Sequence, residues 1–319
     1  MLPVASGSLL PASNDTEEFR SVNIDIMMPF YGRVDHFRQA VESVRAQDDA
    51  DWRLVVIDDA YPDLSATQWL ISLGDSRIVS FRNGTNVGIN ANFQRAIDLA
   101  EAEWMTIMGC DDVLLPGYVG RLKSLIKTHP RATIVHPGVR IIDDEGIVTR
   151  TIVDVSKSMY APRAAASVEI TGERLATSVT RGNWMYFPSV AWRRSAIAKV
   201  GFRTGLNVVQ DLALVLDLCF SGATLVLDSA VVFEYRRHSK SVSSWRAVEG
   251  SRFVEEQTFF RSIAEQFDER GWRRAALAAR LHISSRINAL TRLPDAIRSG
   301  SGRSIGTLLR HAAGISRRR

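Results

Sequence analysis

Cysteine is nearly missing from this chain of 319 residues: Cys110 and Cys219 are its only two. That excludes a disulfide framework and a cysteine-based zinc site, and points to a reducing, cytoplasmic setting. Long apolar runs are missing as well. The nearest approach, residues 212–232, is broken by Asp217 and Asp228, short of the ~18 uninterrupted apolar residues that a spanning helix needs. Met1 to Thr16 has no basic start leading into an apolar stretch, so it does not read as a signal peptide. There is no glycine-rich dinucleotide fingerprint after the first apolar run and no Walker-type phosphate loop anywhere. Hydride-transfer and P-loop chemistry therefore find no support. Acid is scarce at one end only. Residues 271–319 hold eleven arginines and one acid, Asp295, for a net of +10, whereas the first 270 residues carry a net of −5. A basic tail of this kind meets phosphate-rich surfaces, lipid or nucleic acid. The acidic body and the lack of a nucleic-acid motif argue against nucleic acid.

What is present is ordinary in bulk and specific in arrangement. Hydrophobic residues make up 45% and charged residues 24% of the chain, as in soluble globular proteins, with room for one large domain or two modest ones. Residues 1–22 are polar and read as a loose arm. From Asn23 the pattern alternates. Strands are predicted over 23–29, 52–57, 77–81 and 104–108, and helices over 34–46, 65–73 and 90–101. Short connections between alternating strands and helices imply an α/β fold with a mostly parallel sheet flanked by helices. In such sheets ligands bind beyond the carboxyl ends of the strands. Waiting there are Pro29 to Tyr31, Asp58-Asp59, the Asn86/Gly88 turn and Asp111-Asp112.

The Asp111-Asp112 pair ends an apolar strand and is closed by Pro116. Adjacent carboxylates repel, and burying them is costly unless a cation or donors balance the charge. A divalent cation with oxygen ligands suits them; a solvated turn is the plainer alternative. Acidic groups at several strand ends without a glycine cradle favour metal-bridged phosphates.

Beyond Pro116 the pattern is less regular. Helices are predicted over 117–128, 171–179, 193–200 and 208–220, and strands over 132–136 and 139–142. A hairpin is expected over 139–152, a flexible loop over 153–170, and two strands within 223–235. Residues 183–192 are dense in aromatics, which suits core packing better than a sugar-stacking surface. Arginine-rich helices are expected to the end. The arm, then 23–116, 117–245 and the basic extension 246–319, form the expected divisions.

Together these residues resemble the inverting glycosyltransferases of family 2, of the nucleotide-diphospho-sugar (GT-A) fold. Ile24 to Arg33 is similar to the family's opening strand and turn, Val55-Val-Ile-Asp-Asp59 to its second strand, and Asn86-Val-Gly88 with Asn92 to its asparagine-glycine turn and helix. Met108 to Pro116 stands where the family has its metal-binding acidic motif, with Gly109 in place of a frequent first aspartate. The resemblance covers roughly residues 23–240. It implies that Asp112 ligates Mn²⁺ or Mg²⁺, that Asp111 contacts ribose or cation, and that Asp59 reads uracil or thymine. Pro29 and Tyr31 would line the base pocket, with Asn86 and Asn92 also on the nucleotide-sugar side.

The resemblance further implies a general base at Asp211, in Gln210-Asp211 where relatives often have Glu-Asp. The residue type alone equally suits a helix N-cap. His238 is a candidate third metal ligand. Arg236, Arg237 and Lys240 are candidate clamps for the leaving diphosphate, and Trp245 a candidate lid residue. The implied partners are a UDP- or dTDP-sugar donor and a saccharide or glycolipid acceptor of cell-surface polymer synthesis. In the tail, Trp272, Leu277, Leu281, Ile283, Ile287 and Leu290 interleave with arginines. That spacing fits a helix lying on the anionic inner face of the plasma membrane, or one packed on the body. The competing classes are a sugar-nucleotide nucleotidylyltransferase, against which Phe30-Tyr-Gly-Arg33 lacks the glycine-rich signature, and a non-catalytic membrane-surface protein.

Overall fold

A computed structural model describes residues 23–237, 251–298 and 302–314. The N-terminal arm and His238, Lys240 and Trp245 lie outside the described residues.

Strand β1 (Ile24–Phe30) runs parallel to β2 (Trp52–Asp58) on one side and β4 (Trp104–Ile107) on the other, and β3 (Ile78–Arg82) extends the sheet beyond β2. Helices α1 (Val34–Arg45), α2 (Ser65–Ser72) and α3 (Ile89–Leu99) make the crossovers. Residues of β1 and β2 bury both faces. Ile26, Met28, Leu54 and Val56 enter one core layer; Met27, Val55 and Ile57 enter the other. This two-sided burial is why these strands read as continuous apolar runs. The four strand ends predicted to face a ligand, those of β1 to β4, therefore lie along one edge of the parallel sheet.

The second half departs from the sequence expectation in three places. Residues 223–235 form one strand, β9 (Thr224–Arg236), not two. It serves two partners in succession. Its first part pairs with β7 (Ser167–Thr171), and Phe233 and Glu234 pair with β5 (Val113–Leu114), while β6 (Ile134–Ile142) runs parallel to it throughout. The irregularity lies in their pairing: the register shifts on either side of Gly138, where β9 carries the extra residues, and Pro137 of β6 lacks an amide. A side chain at Gly138 would come within 2.7 Å of the Ala230 and Ser229 backbone. Second, the loop expected over 153–170 contains a helix, α5 (Ile152–Tyr160), as well as β7. Thr151 and Asp154 close a capping box on α5, a short polar signal that the apolar periodicity hides. Third, the hairpin over 139–152 reduces to a single bridge, Ile142 to Val148.

Helices α4 (Tyr118–Thr128), α6 (Gly172–Gly182), α7 (Arg194–Val200) and α8 (Gln210–Phe220) complete the body, with β8 (Ala191–Arg193) inserted antiparallel between β4 and β6. The aromatic stretch 183–192 goes to the core, with Trp184, Phe187 and Trp192 buried. The basic extension folds as α9 (Ser251–Glu269), α10 (Arg273–Leu281), α11 (Ile283–Thr291), α12 (Leu293–Arg298) and α13 (Gly302–Ala312).

Candidate active site

At the end of β4 the chain turns tightly through Gly109 to Asp112, whose amide donates to the Gly109 carbonyl at 3.3 Å. Asp112 is buried, and its Oδ1 accepts the Arg236 amide at 2.8 Å across the β5–β9 pairing. A methyl group at Gly109 would lie 2.5 Å from Asp112 Oδ2 and 2.8 Å from Asp111 Oδ1. Two carboxylate oxygens thus converge on the space that Gly109 leaves bare. That explains the glycine at this position, because a side chain here would displace both carboxylates. A pair of hard oxygens side by side fits a divalent cation. Among the described residues no group of three His, Cys, Asp or Glu side chains comes together.

Asp211 lies in the first turn of α8, but not at its cap. Val209 is the N-cap, and no side chain caps the helix. Asp211 Oδ2 accepts from the Asn183 side chain at 3.3 Å and Oδ1 from the Leu212 amide at 2.8 Å. Asn183 closes α6 at φ +24°, a left-handed position that asparagine tolerates better than most residues. The turn before α8 is fixed from an unexpected direction. Glu255 on α9 accepts the amides of Asn207, Val208 and Val209 at 3.0, 2.7 and 3.1 Å. Sequence reasoning missed Glu255, since nothing local distinguishes it from any surface glutamate.

Tyr235 joins the two carboxylate groups. Burial, and then the charges of Asp112, Asp111 and Asp211, hold its hydroxyl proton more tightly than usual, partly offset by Arg237.

The residues expected on the nucleotide side gather at the ends of β1 and β2, with unequal freedom. Tyr31 is 54% exposed and meets Tyr61 edge-on, ring centres 5.3 Å apart. Tyr61, which sequence reasoning passed over, also packs on Phe30. Pro29 is half-buried within β1. Asp59 accepts from Asn83 at 2.7 Å, Val87 at 2.9 Å and Gly88 at 3.0 Å. Three of a carboxylate's roughly four acceptor positions are thereby committed to the turn. Asn86 accepts the Gly88 amide in the same turn, and buried Asn92 donates to the Ile57 carbonyl. Asn92 therefore ties α3 to β2 instead of presenting its amide to a ligand. The expected arginine clamp is also engaged elsewhere. Buried Arg236 donates to the carbonyls of Asp111, Asp143 and Asp144 and to Gln39. Arg237 grips Asp154 at 2.5 Å.

The parallel sheet ending in an acidic turn, faced by a carboxylate at a helix start, defines a GT-A fold. The description "Glycosyl transferase family 2" matches residues 25–197, more than half of the chain, and the chain belongs to that family. One relative is the "Putative colanic acid biosynthesis glycosyl transferase WcaA" of Escherichia coli (strain K12), 30% identical over 114 residues, 35% of this chain and 39% of that protein. The chain thus spans well under two thirds of that relative. "Uncharacterized protein MT1568" of Mycobacterium tuberculosis is 24% identical over 244 residues, 72% of each chain. Among solved structures, S. aureus TarS 1-349 in complex with UDP-GlcNAc superposes with TM-score 0.63 at 14% identity, over 92% of this chain and 88% of that one. The mannosyltransferase PcManGT of Pyrobaculum calidifontis, in complex with GDP-Man and Mn²⁺, superposes with TM-score 0.58 at 17% identity, over 91% and 79%. At such identities the superpositions speak for the fold.

Proposed function

We propose that this protein transfers a sugar from a UDP- or dTDP-sugar to an acceptor hydroxyl with inversion at the anomeric carbon, in cell-surface polysaccharide or glycolipid synthesis. The observation that carries this reading is the pair of Asp111 and Asp112 carboxylate oxygens brought together beside Gly109. That pair suits the donor's diphosphate side, and Asp211, in the first turn of α8, suits the acceptor side. Asp211 takes the proton of the acceptor hydroxyl as its oxygen attacks the anomeric carbon from the face opposite the nucleotide; the bond to the diphosphate breaks and the nucleotide departs. Asn183 and the Leu212 amide hold the carboxylate of Asp211 for that step. Mn²⁺ or Mg²⁺, held by Asp112 with Asp111 beside it, would neutralise the charge developing on the departing diphosphate. His238 remains a proposed ligand. Pro29, Tyr31 and Tyr61 would flank the base, with the turn around Asp59, Asn86 and Asn92 shaping the pocket floor.

The acceptor side is proposed to work at an anionic membrane surface. No helix among the described residues is long and apolar enough to cross a membrane. On α10 and α11, however, Ala275, Ala276, Ala278, Ala279 and Ala289 face inward, while Leu277, Leu281, Ile283, Ile287 and Leu290 are exposed. The usual amphipathic order is reversed, with arginines among the exposed aliphatics.

A thermal-shift screen with UDP-, dTDP- and GDP-sugars, with and without Mn²⁺, tests the donor assignment. A saturating donor, at about 100 times its Kd, stabilises the native state by about 2.7 kcal/mol. UDP- or dTDP-sugars should raise Tm in the presence of Mn²⁺. No response to any sugar nucleotide would sink the reading.

A further inference from the structure

A cavity of about 410 Å³ lies between β6, α5 and the segment 184–186, within the ~300–1,000 Å³ usual for ligand pockets. It lies where Pro137-Gly138 of β6 face the extra residues of β9 and the β6–β9 register shifts. Five charged side chains line it: Arg140, Arg150, Asp154, Lys157 and Asp228. Both acids are already held by arginines from outside the lining, Asp154 by Arg237 at 2.5 Å and Asp228 by Arg121 at 2.6 Å. Arg140 is paired with Glu234. The other two cations meet neutral groups among the described residues. Arg150 donates to the Ser158 hydroxyl at 2.8 Å. Lys157 donates to the Met185 carbonyl at 2.9 Å and lies 4.4 Å from the centre of the Tyr186 ring. The wall therefore has a surplus of positive charge. Desolvation draws the Lys157 ammonium down to about 8, with Asp211 opposing the shift.

The cavity adjoins the proposed base. Asn183 holds Asp211, Met185 receives Lys157, and the Tyr186 amide donates to His136 Nε2 at 3.0 Å. Four consecutive residues thus connect the carboxylate to the cavity wall. Buried His136 stays neutral, its ring drawn down to about 4 chiefly by desolvation, so Nε2 remains free to accept that amide.

We propose that this cavity seats an anionic sugar unit of the acceptor, its carboxylate or phosphate meeting Lys157 and Arg150 while one of its hydroxyls reaches Asp211. The inference rests on Asp211 as the transfer base. It adds the chemical class of the acceptor, because an anion would meet two wall cations, Lys157 and Arg150, whose hydrogen bonds go to neutral groups.

The test follows acetylation of Lys157 by acetic anhydride at pH 8, read by peptide mass spectrometry on the full chain with UDP and Mn²⁺ present. The probes are D-glucuronate, D-glucose 6-phosphate, D-glucose and inorganic phosphate. A charged sugar at about ten times its Kd should slow Lys157 acetylation about tenfold, since protection grows as 1 + [L]/Kd. Whichever charged sugar protects at lower concentration distinguishes carboxylate from phosphate. Lys157→Met should lose the rise in Tm caused by that sugar and keep the rise caused by UDP with Mn²⁺. The proposal is overturned if glucose protects equally, if inorganic phosphate alone protects as well as glucose 6-phosphate, or if no probe protects while UDP still stabilises the chain. A missing response to UDP would instead count against the glycosyltransferase reading itself.

Discussion

Gly109 and Asp211 are single positions at which the proposed chemistry can be tested directly. The space beside Gly109 is where the Asp111 and Asp112 carboxylates converge, and a methyl group would stand 2.5 Å from Asp112 Oδ2. Gly109→Ala should push both carboxylates aside. Displacements near 1 Å at a reacting centre can cost about 100-fold in rate, and a loss of that order is expected here. The rise in Tm that Mn²⁺ adds to nucleotide-sugar binding should disappear as well. An unaltered Mn²⁺ response would show that the pair does not hold the cation. Asp211→Asn keeps the shape of the side chain and removes its basicity. Transfer should fall at least about 100-fold, as for other general bases, with donor-induced stabilisation nearly intact. If the variant retains more than about a tenth of the wild-type rate, the base lies elsewhere.

At the scale of elements, the first half was legible because each element announces itself locally. The strands 52–58 and 104–107 are apolar runs buried on both faces, and the helices between them keep a helical apolar spacing. Elements whose cause lies elsewhere in the chain were not legible. β9 continues through Asp228 to Val231 because β6 pairs with it on both sides of the register shift at Gly138, a partner the β9 sequence does not record. Helix α5 depends on the Thr151–Asp154 box and on Arg237, 83 residues away. The site followed the same rule. Asp111, Asp112 and Asp211 were visible as motifs, whereas Glu255, 46 to 48 residues beyond the amides it receives, was not. Glu255 positions the start of α8 and, through it, Asp211. Hydrogen bonds to a charged group contribute about 1.5–3 kcal/mol, so Glu255→Ala should loosen that turn. Transfer should drop about tenfold with donor-induced stabilisation unchanged. Glu255→Gln, which still offers an accepting oxygen, should recover most of the rate. A Gln variant as slow as Ala, or neither variant slow, would refute the positioning role.

For the whole molecule, the question is what the basic extension does once it is folded. Of the two alternatives read from its sequence, packing on the body uses the alanine faces of these helices, and lying on a membrane, as proposed, would use the faces that carry the exposed aliphatics. α10 packs on α9 and α6 through alanines, and Trp272 stacks on Phe220 with ring centres 5.5 Å apart, so Trp272 belongs to the body. Phe253, Ala289, Ala296 and Leu308 form a separate small core within the extension. Deleting residues 271–319 would therefore uncover the body and confuse two effects. Surface substitutions separate them. Leu277, Ile287 and Leu290 are 56%, 52% and 48% exposed, so changing all three to serine should leave Tm nearly unchanged. On vesicles containing phosphatidylglycerol the same changes should matter. Full burial of each such side chain contributes about 1.5–3 kcal/mol, and the triple variant should bind at least about 100-fold more weakly in a flotation assay. Wild-type binding should also weaken with added salt, because the arginines of the extension act through a screened potential. Wild-type protein that ignores anionic vesicles, or a triple variant that binds them equally well, would leave the exposed aliphatic rows to some other partner.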